Sequence, residues 1–237
     1  MEENYLDCLA AYGVSGAHPG SLALTKDILS HERISAETKI LDAGCGTGQT
    51  AEYLYSEYKA DVTAIDLHPL MIEKAGKRLA NLPVHIVQDD IECLNINHEL
   101  FDMVLSESVL AFTQLNLSLK EISGILRQDG ILLAIEMVLE EQLSQAEMEE
   151  IMTFYGLPQL LSEDEWVAKL DNSGFHNISA STWGIKQDSD VLKFEDTPEF
   201  MLSENISEEK AVMLETHFQL KEEYENALGF RLFRCER

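Results

Sequence analysis

The sequence has few basic residues to balance its acidic ones: 17 lysines and arginines stand against 43 aspartates and glutamates, giving a formal net charge of −26. A field of that sign repels phosphate backbones and anionic lipid surfaces. We therefore expect no nucleic-acid partner and no membrane partner. The acidity is explained most simply by solubility, and a preference for neutral or cationic substrates is the alternative.

Paired cysteines and long apolar runs are also missing. The four cysteines, Cys8, Cys45, Cys93 and Cys235, are scattered, with no C-x-x-C pair and no histidines at zinc-ligand spacing. This pattern predicts a reducing, cytoplasmic location and no metal site. No apolar run approaches the roughly 18 residues that span a bilayer, and the acidic start MEENYLDCLAAYG does not have the pattern of a signal peptide.

An alternation of strand and helix patterns begins at Lys39. The apolar segments KILDA, DVTAID and GILLAIEMV predict strands. Helices are predicted over QTAEYLYSEY, over LSLKEISGILRQ and over PLMIEKAGKRLAN, which Pro69 opens. Short connections between such elements are typical of a mainly parallel sheet with helices on both faces. The sequence therefore predicts an α/β fold with a doubly wound sheet.

The length of 237 residues favours one domain over two equal ones. We expect residues 1–37 to form a helical cap and residues 38–185 to form the core. A largely helical, acidic insertion is expected over residues 186–228, followed by a last strand over 229–237. That strand, GFRLFRCER, is expected to pair with FHNISASTW at the edge of the sheet.

A glycine-rich turn, ILDAGCGTGQT, follows the first predicted strand. Its glycines, Gly44, Gly46 and Gly48, are spaced G-x-G-x-G, whereas the dinucleotide fingerprint is G-x-G-x-x-G. The turn leads into a helix whose first N–H groups can receive an anionic group. Asp42 would repel a pyrophosphate but can bond an ammonium group. The predicted ligand therefore carries an amine and a carboxylate, and a strand-end cap is the alternative role for Asp42.

Further carboxylates follow the next two predicted strands. Asp66 ends VTAID, where doubly wound sheets place an acid that binds ribose hydroxyls; its alternative role is to cap the helix at Pro69. The segment QDDIE supplies Asp89 and Asp90, one of which is expected to accept from an adenine amino group, while Ile91 packs on the ring. Asp90 fits the register better than Asp89, and either acid can instead solvate a turn.

Together these segments resemble the class I S-adenosylmethionine-dependent methyltransferases, and in motif character the small-molecule group that includes ubiquinone and menaquinone biosynthesis enzymes. LDAGCGTG is similar to their first motif, AIDLHPLMIEKA to the second, QDDIECL to the third, FDMVLSESVL to the fourth and LRQDGILLAIE to the fifth-strand region. The resemblance implies a Rossmann-like seven-stranded sheet, mostly parallel with an antiparallel last strand. It also implies S-adenosyl-L-methionine as cofactor, with S-adenosyl-L-homocysteine as product.

The resemblance also implies a set of cofactor-binding residues. Cys45 falls where small residues are common in the family, so we expect a structural fit and not redox or nucleophilic chemistry. The predicted cofactor-binding residues are Asp42, Gly44, Cys45, Gly46, Thr47, Gly48, Asp66, Leu67, Asp89, Asp90, Ile91 and Ser106.

Methyl transfer from a sulfonium requires alignment and, for some acceptors, removal of a proton. Glu107 follows the fourth predicted strand, near the expected position of the methyl group, and His18 lies in the segment that often covers the cofactor in this family. Both are candidate catalytic residues. Their alternatives are a buried or capping carboxylate and a turn histidine held by Pro19 and Gly20. Weaker candidates are Glu136, Tyr5 and Tyr12.

The sequence argues against several acceptors. SESV after the fourth strand lacks the Pro-Pro-aromatic segment of enzymes that methylate DNA bases, and the placement of the cysteines gives no support for arsenite methylation. A small molecule is the predicted acceptor, with pocket walls expected from residues 5–24 and 186–228. Two alternatives stay open: a non-catalytic cofactor-binding module with a protein partner and, less favoured by the glycine spacing, a nicotinamide-dependent oxidoreductase.

Overall fold

The computed structural model describes residues 3–96, 100–182 and 199–237. A short 3₁₀ helix covers Leu110–Phe112. The strands are β1 (Lys39–Ala43), β2 (Asp61–Asp66), β3 (His85–Gln88), β4 (Phe101–Glu107), β5 (Leu126–Leu139), β6 (His176–Ser181) and β7 (Leu228–Glu236). The helices are α1 (Tyr5–Tyr12), α2 (Ser21–Ser30), α3 (Gln49–Tyr58), α4 (Pro69–Arg78), α5 (Leu115–Ile125), α6 (Gln145–Tyr155), α7 (Glu163–Asn172) and α8 (Glu208–Glu223).

All seven strands form one sheet in the order β3-β2-β1-β4-β5-β7-β6. The pairs from β3 through β5 are parallel, and β7 lies antiparallel between β5 and β6. The predicted α/β fold, a mostly parallel seven-stranded sheet with an antiparallel last strand, is confirmed. The predicted pairing of the two final strands is confirmed as well. No helix among the described residues is long and apolar enough to cross a membrane.

The central strands are apolar at successive positions because helices cover both faces of the sheet. Along a strand, successive side chains point to opposite faces. In β1, Leu41 belongs to one buried cluster and Ile40 to the other, and in β4 the same division separates Val104 from Leu105. Two cores therefore hold the sheet between them, and the central strands need apolar residues at successive positions.

Two predicted boundaries differ from the structure. The helix expected over LSLKEISGILRQ ends at Ile125, because Leu126 takes an extended conformation and pairs with Phe101 of β4. The insertion expected to be largely helical is not helical at 199–203, because this stretch pairs with the N-terminal segment. The part of that insertion over residues 186–198 lies outside the described residues.

The N-terminal segment is held to that C-terminal stretch by backbone hydrogen bonds. The amide of Ser15 donates to the carbonyl of Glu199 at 2.9 Å, and the amide of Met201 donates to the carbonyl of Gly13, also at 2.9 Å. On the other side, Lys74 of α4 donates from Nζ to the carbonyls of Ala10 at 2.6 Å and Ala11 at 3.1 Å. Lys74 thus adds a charged donor to two carbonyl groups at the end of α1, which also accept from the amides of Gly13 and Ser203.

Candidate active site

The predicted site residues lie at the carboxyl ends of four parallel strands. The sheet runs outward from β1 to β2 and β3 on one side and to β4 and β5 on the other. Ligands of doubly wound sheets bind at this switch point, outside the carboxyl ends of the strands. Asp42 lies near the end of β1, Asp66 ends β2, Asp89 follows β3, and Glu107 is the last residue of β4. The topology therefore brings these four acids to one edge.

The three glycines of the turn have different structural reasons. All have left-handed backbone conformations, with φ of 81° at Gly44, 52° at Gly46 and 80° at Gly48. A Cβ at Gly44 would lie 2.2 Å from Cγ2 of Val109, and one at Gly48 would lie 2.9 Å from Cδ1 of Leu79. A Cβ at Gly46 would meet nothing within 4 Å. Gly44 and Gly48 therefore allow close packing, whereas at Gly46 the requirement is the left-handed backbone and the space beside it is open.

Asp42 is buried with an unsatisfied oxygen. It is 3% exposed, and its Oδ2 has no hydrogen-bond partner in the described structure. Burial raises the pKa of its carboxyl well above the usual value, and the negative charges of Glu107 and Asp66 raise it further, while the amide of Ala51 acts in the opposite direction. Buried polar atoms are rarely left without a partner. This oxygen is therefore suited to a donor that is not part of the chain.

Asp66 organises the turn. Its Oδ2 accepts from the amide of Gly46 at 2.9 Å and its Oδ1 from the amide of His68 at 2.8 Å. Burial raises the pKa of Asp66, although both amides favour the ionised form. The helix-end role is present, since His68 precedes α4, and each carboxylate oxygen retains a further lone pair for a ribose hydroxyl. Leu67 beside it is 63% exposed and offers an apolar surface.

The two acids after β3 are used differently. Asp89 is buried, and its oxygens accept from the amides of Asp90 at 2.9 Å and Asn95 at 2.8 Å, so it stabilises the turn. Asp90 is half-buried and uses Oδ1 to accept from the amide of Glu92 at 2.9 Å. The turn-stabilising alternative thus describes Asp89, and Asp90 is the better candidate for the base. Ile91 next to it is buried.

Ser106 and Glu136 form a fully buried pair. The hydroxyl of Ser106 donates to Oε1 of Glu136 at 3.3 Å. Glu136 also accepts from the amides of Val109, Leu110 and Ala111 at 3.2, 2.9 and 3.1 Å. Burial raises the pKa of Glu136 to about 7, despite these donors. Glu136 therefore fixes the start of the 3₁₀ helix after β4, which assigns this weaker candidate a structural role.

The two candidate catalytic residues lie together. Nε2 of His18 is 3.5 Å from Oε1 of Glu107, and their side chains are 4% and 8% exposed. Thr25 of α2 donates to Oε1 of Glu107 at 2.5 Å, and Thr50 of α3 donates to Oε2 at 2.8 Å. Two hydroxyl donors therefore orient Glu107 as a proton acceptor. Sequence reasoning missed both threonines, because a threonine inside a helix carries no signal that it faces a site.

Comparisons with known proteins give the family. Residues 41–134 match the model of the methyltransferase domain. The uncharacterized methyltransferase YodH of Bacillus subtilis (strain 168) is 42% identical to this chain over 231 residues, which is 97% of each chain. The chain belongs to the methyltransferase family. The family expected from the motifs is confirmed, and the enzyme is a methyltransferase dependent on S-adenosyl-L-methionine.

Two other methyltransferases are similar to this chain, one in sequence over part of its length and one in fold. A malonyl-[acyl-carrier protein] O-methyltransferase of Anoxybacillus flavithermus is 41% identical over 70 residues, 29% of this chain and 27% of that one. The crystal structure of Haemonchus contortus phosphoethanolamine N-methyltransferase 2 in complex with S-adenosyl-L-methionine has a TM-score of 0.76 at 17% identity. This chain covers 57% of it with 98% of its own length.

An arginine that sequence reasoning also missed links the glycine turn of the methyltransferase to its N-terminal segment. Arg78 donates to the carbonyl of Thr47 and to Glu52, both at 3.0 Å, and to Glu199 at 2.7 Å and Ser15 at 3.2 Å. The hydroxyls of Ser15 and Thr47 lie 2.6 Å apart. Ser15 and Glu199 therefore lie close to the turn, and the expectation that their two segments line the acceptor pocket stays a prediction.

Two other candidates, Cys45 and Tyr5, are buried in the methyltransferase. Burial raises the pKa of the Cys45 thiol well above its usual value, and Asp42 and Asp66 raise it further, so the thiol stays protonated. Tyr5 is buried in an aromatic cluster, with its ring 4.9 Å from that of Tyr155. All four cysteines are free. Within the three described ranges, no group of histidine, cysteine, aspartate or glutamate side chains is placed to hold a metal.

Proposed function

We propose that this methyltransferase acts on a small-molecule acceptor that enters beside Glu107 and His18. The observation that carries the proposal is the enclosure of this pair. α2 and the segment before it contribute Thr25 and His18 directly above the end of β4, and both members of the pair are almost fully buried. Because α2 and the segment before it lie so close to the end of β4, a small acceptor is favoured over a base within a nucleic acid. The acidic chain favours the same choice.

The residues at the strand ends fit the cofactor. Asp42 supplies an unpartnered buried oxygen for an ammonium group, and the space where a Cβ of residue 46 would stand is open beside Gly46. Asp66 is assigned to the ribose and Asp90 to the base, with Leu67 and Ile91 as apolar neighbours. Thr47, Gly44, Gly48, Cys45, Ser106 and Asp89 are assigned to shaping this surface. S-adenosyl-L-methionine, when bound, supplies an activated methyl group.

Glu107 and His18 have the arrangement of a proton-accepting pair. The hydroxyls of Thr25 and Thr50 donate to Glu107, so its carboxylate is oriented and retains lone pairs for an acceptor proton. His18 lies 3.5 Å away and is the next group able to carry that proton. General-base assistance of this kind contributes about 10²–10⁴-fold to rate. The two residues therefore act on the acceptor and not on the methyl donor.

The division into a cap, core, insertion and last strand stays a prediction, as does the cytoplasmic location. The binding-module alternative also stays open, because the same cofactor site can persist without turnover. It is separated from the enzyme by asking whether bound cofactor is converted.

The experiment combines binding and turnover. Calorimetry with S-adenosyl-L-homocysteine is expected to give micromolar binding, about −8 kcal/mol. Incubation of S-adenosyl-L-methionine with a panel of small metabolites should then release S-adenosyl-L-homocysteine for at least one of them. Glu107→Gln should reduce that release about 100-fold or more without weakening cofactor binding. The matched control Glu73→Gln removes an exposed carboxylate that pairs with Lys77 and should change neither.

Absence of cofactor binding would contradict the proposal. Binding without turnover across the panel, together with one co-purifying protein, would favour the binding module. Turnover that survives Glu107→Gln unchanged would leave the enzyme assignment intact and reject the role of Glu107.

A further inference from the structure

The charged side chains that act on one another at the strand ends, Asp42, Asp66 and Glu107, are all acidic. The charges that act on Asp42 are those of Glu107 and Asp66, and both raise its pKa. Asp42 is almost fully buried, and its Oδ2 has no hydrogen-bond partner among the described residues. With Asp42 assigned to the ammonium group of the cofactor, the carboxylate left to face the acceptor is that of Glu107, which Thr25 and Thr50 hold in place.

Two basic side chains of α4, Arg78 and Lys74, are bound by acceptors other than Asp42, Asp66 and Glu107. Arg78 is engaged by the carbonyl of Thr47 and by Glu52 and Glu199. Lys74 is engaged by carbonyls at the end of α1. An acceptor with a carboxylate or phosphate beside its nucleophile would meet like charge here, and neither of these cations is placed to offset it.

We propose that the acceptor nucleophile is an amine, which enters in its cationic form beside Glu107. This inference rests on the proposed function and adds the chemical class of the acceptor. Amines carry a proton near neutral pH. An ammonium group is attracted by the carboxylate that Thr25 and Thr50 hold in place, and the same carboxylate is positioned to accept the proton that must leave.

The step balances. The ammonium group gives one proton to Glu107, which frees the nitrogen lone pair, and this pair forms the new bond to the methyl carbon of the sulfonium. The electrons of the broken carbon–sulfur bond stay on sulfur, which becomes the neutral thioether of S-adenosyl-L-homocysteine. The product is the methylated ammonium ion, and the proton on Glu107 passes through His18 to solvent.

The test uses two analogues of S-adenosyl-L-homocysteine in which nitrogen replaces sulfur. One carries a 2-aminoethyl group on that nitrogen and the other a 2-carboxyethyl group, so that the same linker places either charge on the acceptor side. Because the adenosine and amino-acid parts are shared, the ratio of the two dissociation constants reports only on the acceptor side. The measurement is calorimetry on the full-length protein and does not depend on turnover.

The wild-type protein should bind the aminoethyl analogue at least about tenfold more tightly than the carboxyethyl analogue, as expected for a hydrogen bond to a charged group. Glu107→Gln should bring the ratio close to one while S-adenosyl-L-homocysteine binds as before. Glu73→Gln, which removes an exposed carboxylate on α4, should keep the wild-type ratio. If circular dichroism shows that Glu107→Gln does not fold, Thr50→Val removes one of the two orienting hydroxyls and should lower the ratio in the same direction.

Equal or tighter binding of the carboxyethyl analogue by the wild-type protein would overturn the inference. The inference would also be overturned if Glu107→Gln left the ratio of dissociation constants unchanged. A third contrary result is a protein that binds S-adenosyl-L-homocysteine but neither of the two analogues. In all three cases the proposed methyltransferase function would stand. Failure to bind S-adenosyl-L-homocysteine itself would instead reject the proposed function together with the inference.

Discussion

At the scale of single residues, Asp42 lowers the stability of the unliganded fold and is suited to bind a ligand. A buried carboxylate with an unpartnered oxygen and two acidic neighbours opposes folding, because burial removes its solvation and the hydrogen bond from the amide of Ala51 offsets only part of the cost. The same features make it receptive to a cationic donor. A raised pKa of the Asp42 carboxyl is therefore expected in a binding site whose ligand supplies the missing hydrogen-bond donor. Substitutions that stabilise the protein at such positions commonly reduce function.

This interpretation predicts opposite effects of Asp42→Asn on stability and on binding. Removing the charge while keeping the shape should raise the free energy of unfolding without ligand by about 1 kcal/mol in urea titrations. The affinity for S-adenosyl-L-homocysteine, measured by calorimetry, should fall about tenfold, because the ammonium group loses a charged acceptor. Asp61→Asn, at an exposed acid of β2, is the matched control and should change neither quantity beyond about 0.5 kcal/mol.

A variant of Asp42 that is less stable and binds the product as the wild type does would show that this carboxylate is structural. The strand-end role that the sequence left as an alternative would then be the correct one.

Residues inside a motif could be predicted, and residues that support them from elsewhere could not. The glycine spacing and the acids at strand ends were readable because parallel strands bring their ends to one edge. The hydroxyls of Thr25 and Thr50 reach Glu107 from two different helices. Their placement depends on how α2 packs over the sheet, and local sequence does not encode that packing.

At the scale of elements, Arg78 connects pieces that are distant in sequence. It belongs to α4, contacts the glycine turn through the carbonyl of Thr47, and reaches Glu199 in the stretch that pairs with the N-terminal segment. The guanidinium is almost fully covered, whereas its glutamate partners are about half exposed. The fixed fork of arginine is suited to such a junction, because one side chain can satisfy several acceptors at once.

We predict that Arg78→Gln loosens the N-terminal segment and weakens cofactor binding together. The free energy of unfolding should fall by about 1–2 kcal/mol, since the hydrogen bonds are charge-assisted but their acid partners are partly solvated. Hydrogen exchange should speed up in residues 11–15 and 199–203, where the backbone pairing occurs. The control Lys77→Gln removes an exposed ion pair of the same helix and should cost about 0.3–0.5 kcal/mol.

Exchange that quickens throughout the sheet, and not in these two stretches, would show that Arg78 acts on global stability alone. Unchanged exchange with weakened binding would place its effect on the glycine turn.

Element types followed from periodicity, but some boundaries and pairings did not. The strands of the core could be predicted because helices on both sides leave them apolar throughout. The end of α5 was misplaced because pairing of Leu126 with Phe101 outweighs the local preference for helix. The extended stretch at 199–203 pairs with the N-terminal segment, and single-sequence periodicity gives no register for so distant a partner.

At the scale of the whole molecule, the N-terminal segment pairs with residues 199–203, and this pair of segments lies beside the glycine turn. The N-terminal segment carries His18 to Glu107, and β7 enters between β5 and β6 after α8. This arrangement places His18 and the helix α2 next to Glu107, where the acceptor is proposed to enter. The family motifs therefore predict the methyl donor, while the acceptor depends on segments whose position follows only from the complete fold.

The net charge of −26 should make the stability of the whole molecule depend on salt. Like charges spread over the surface repel one another in the compact state, and the screening length falls from about 30 Å at 0.01 M to about 8 Å at 0.15 M salt. We predict that the Tm rises by about 2–4 °C over this range, the shift that about 1 kcal/mol produces in a chain of this size. Differential scanning calorimetry in sodium chloride measures it, and tetramethylammonium chloride at equal ionic strength should give the same rise, because screening does not depend on the identity of the cation. A Tm that falls with salt would show that attractive pairs, such as Arg231 with Glu140 and Arg234 with Glu32, outweigh the repulsion.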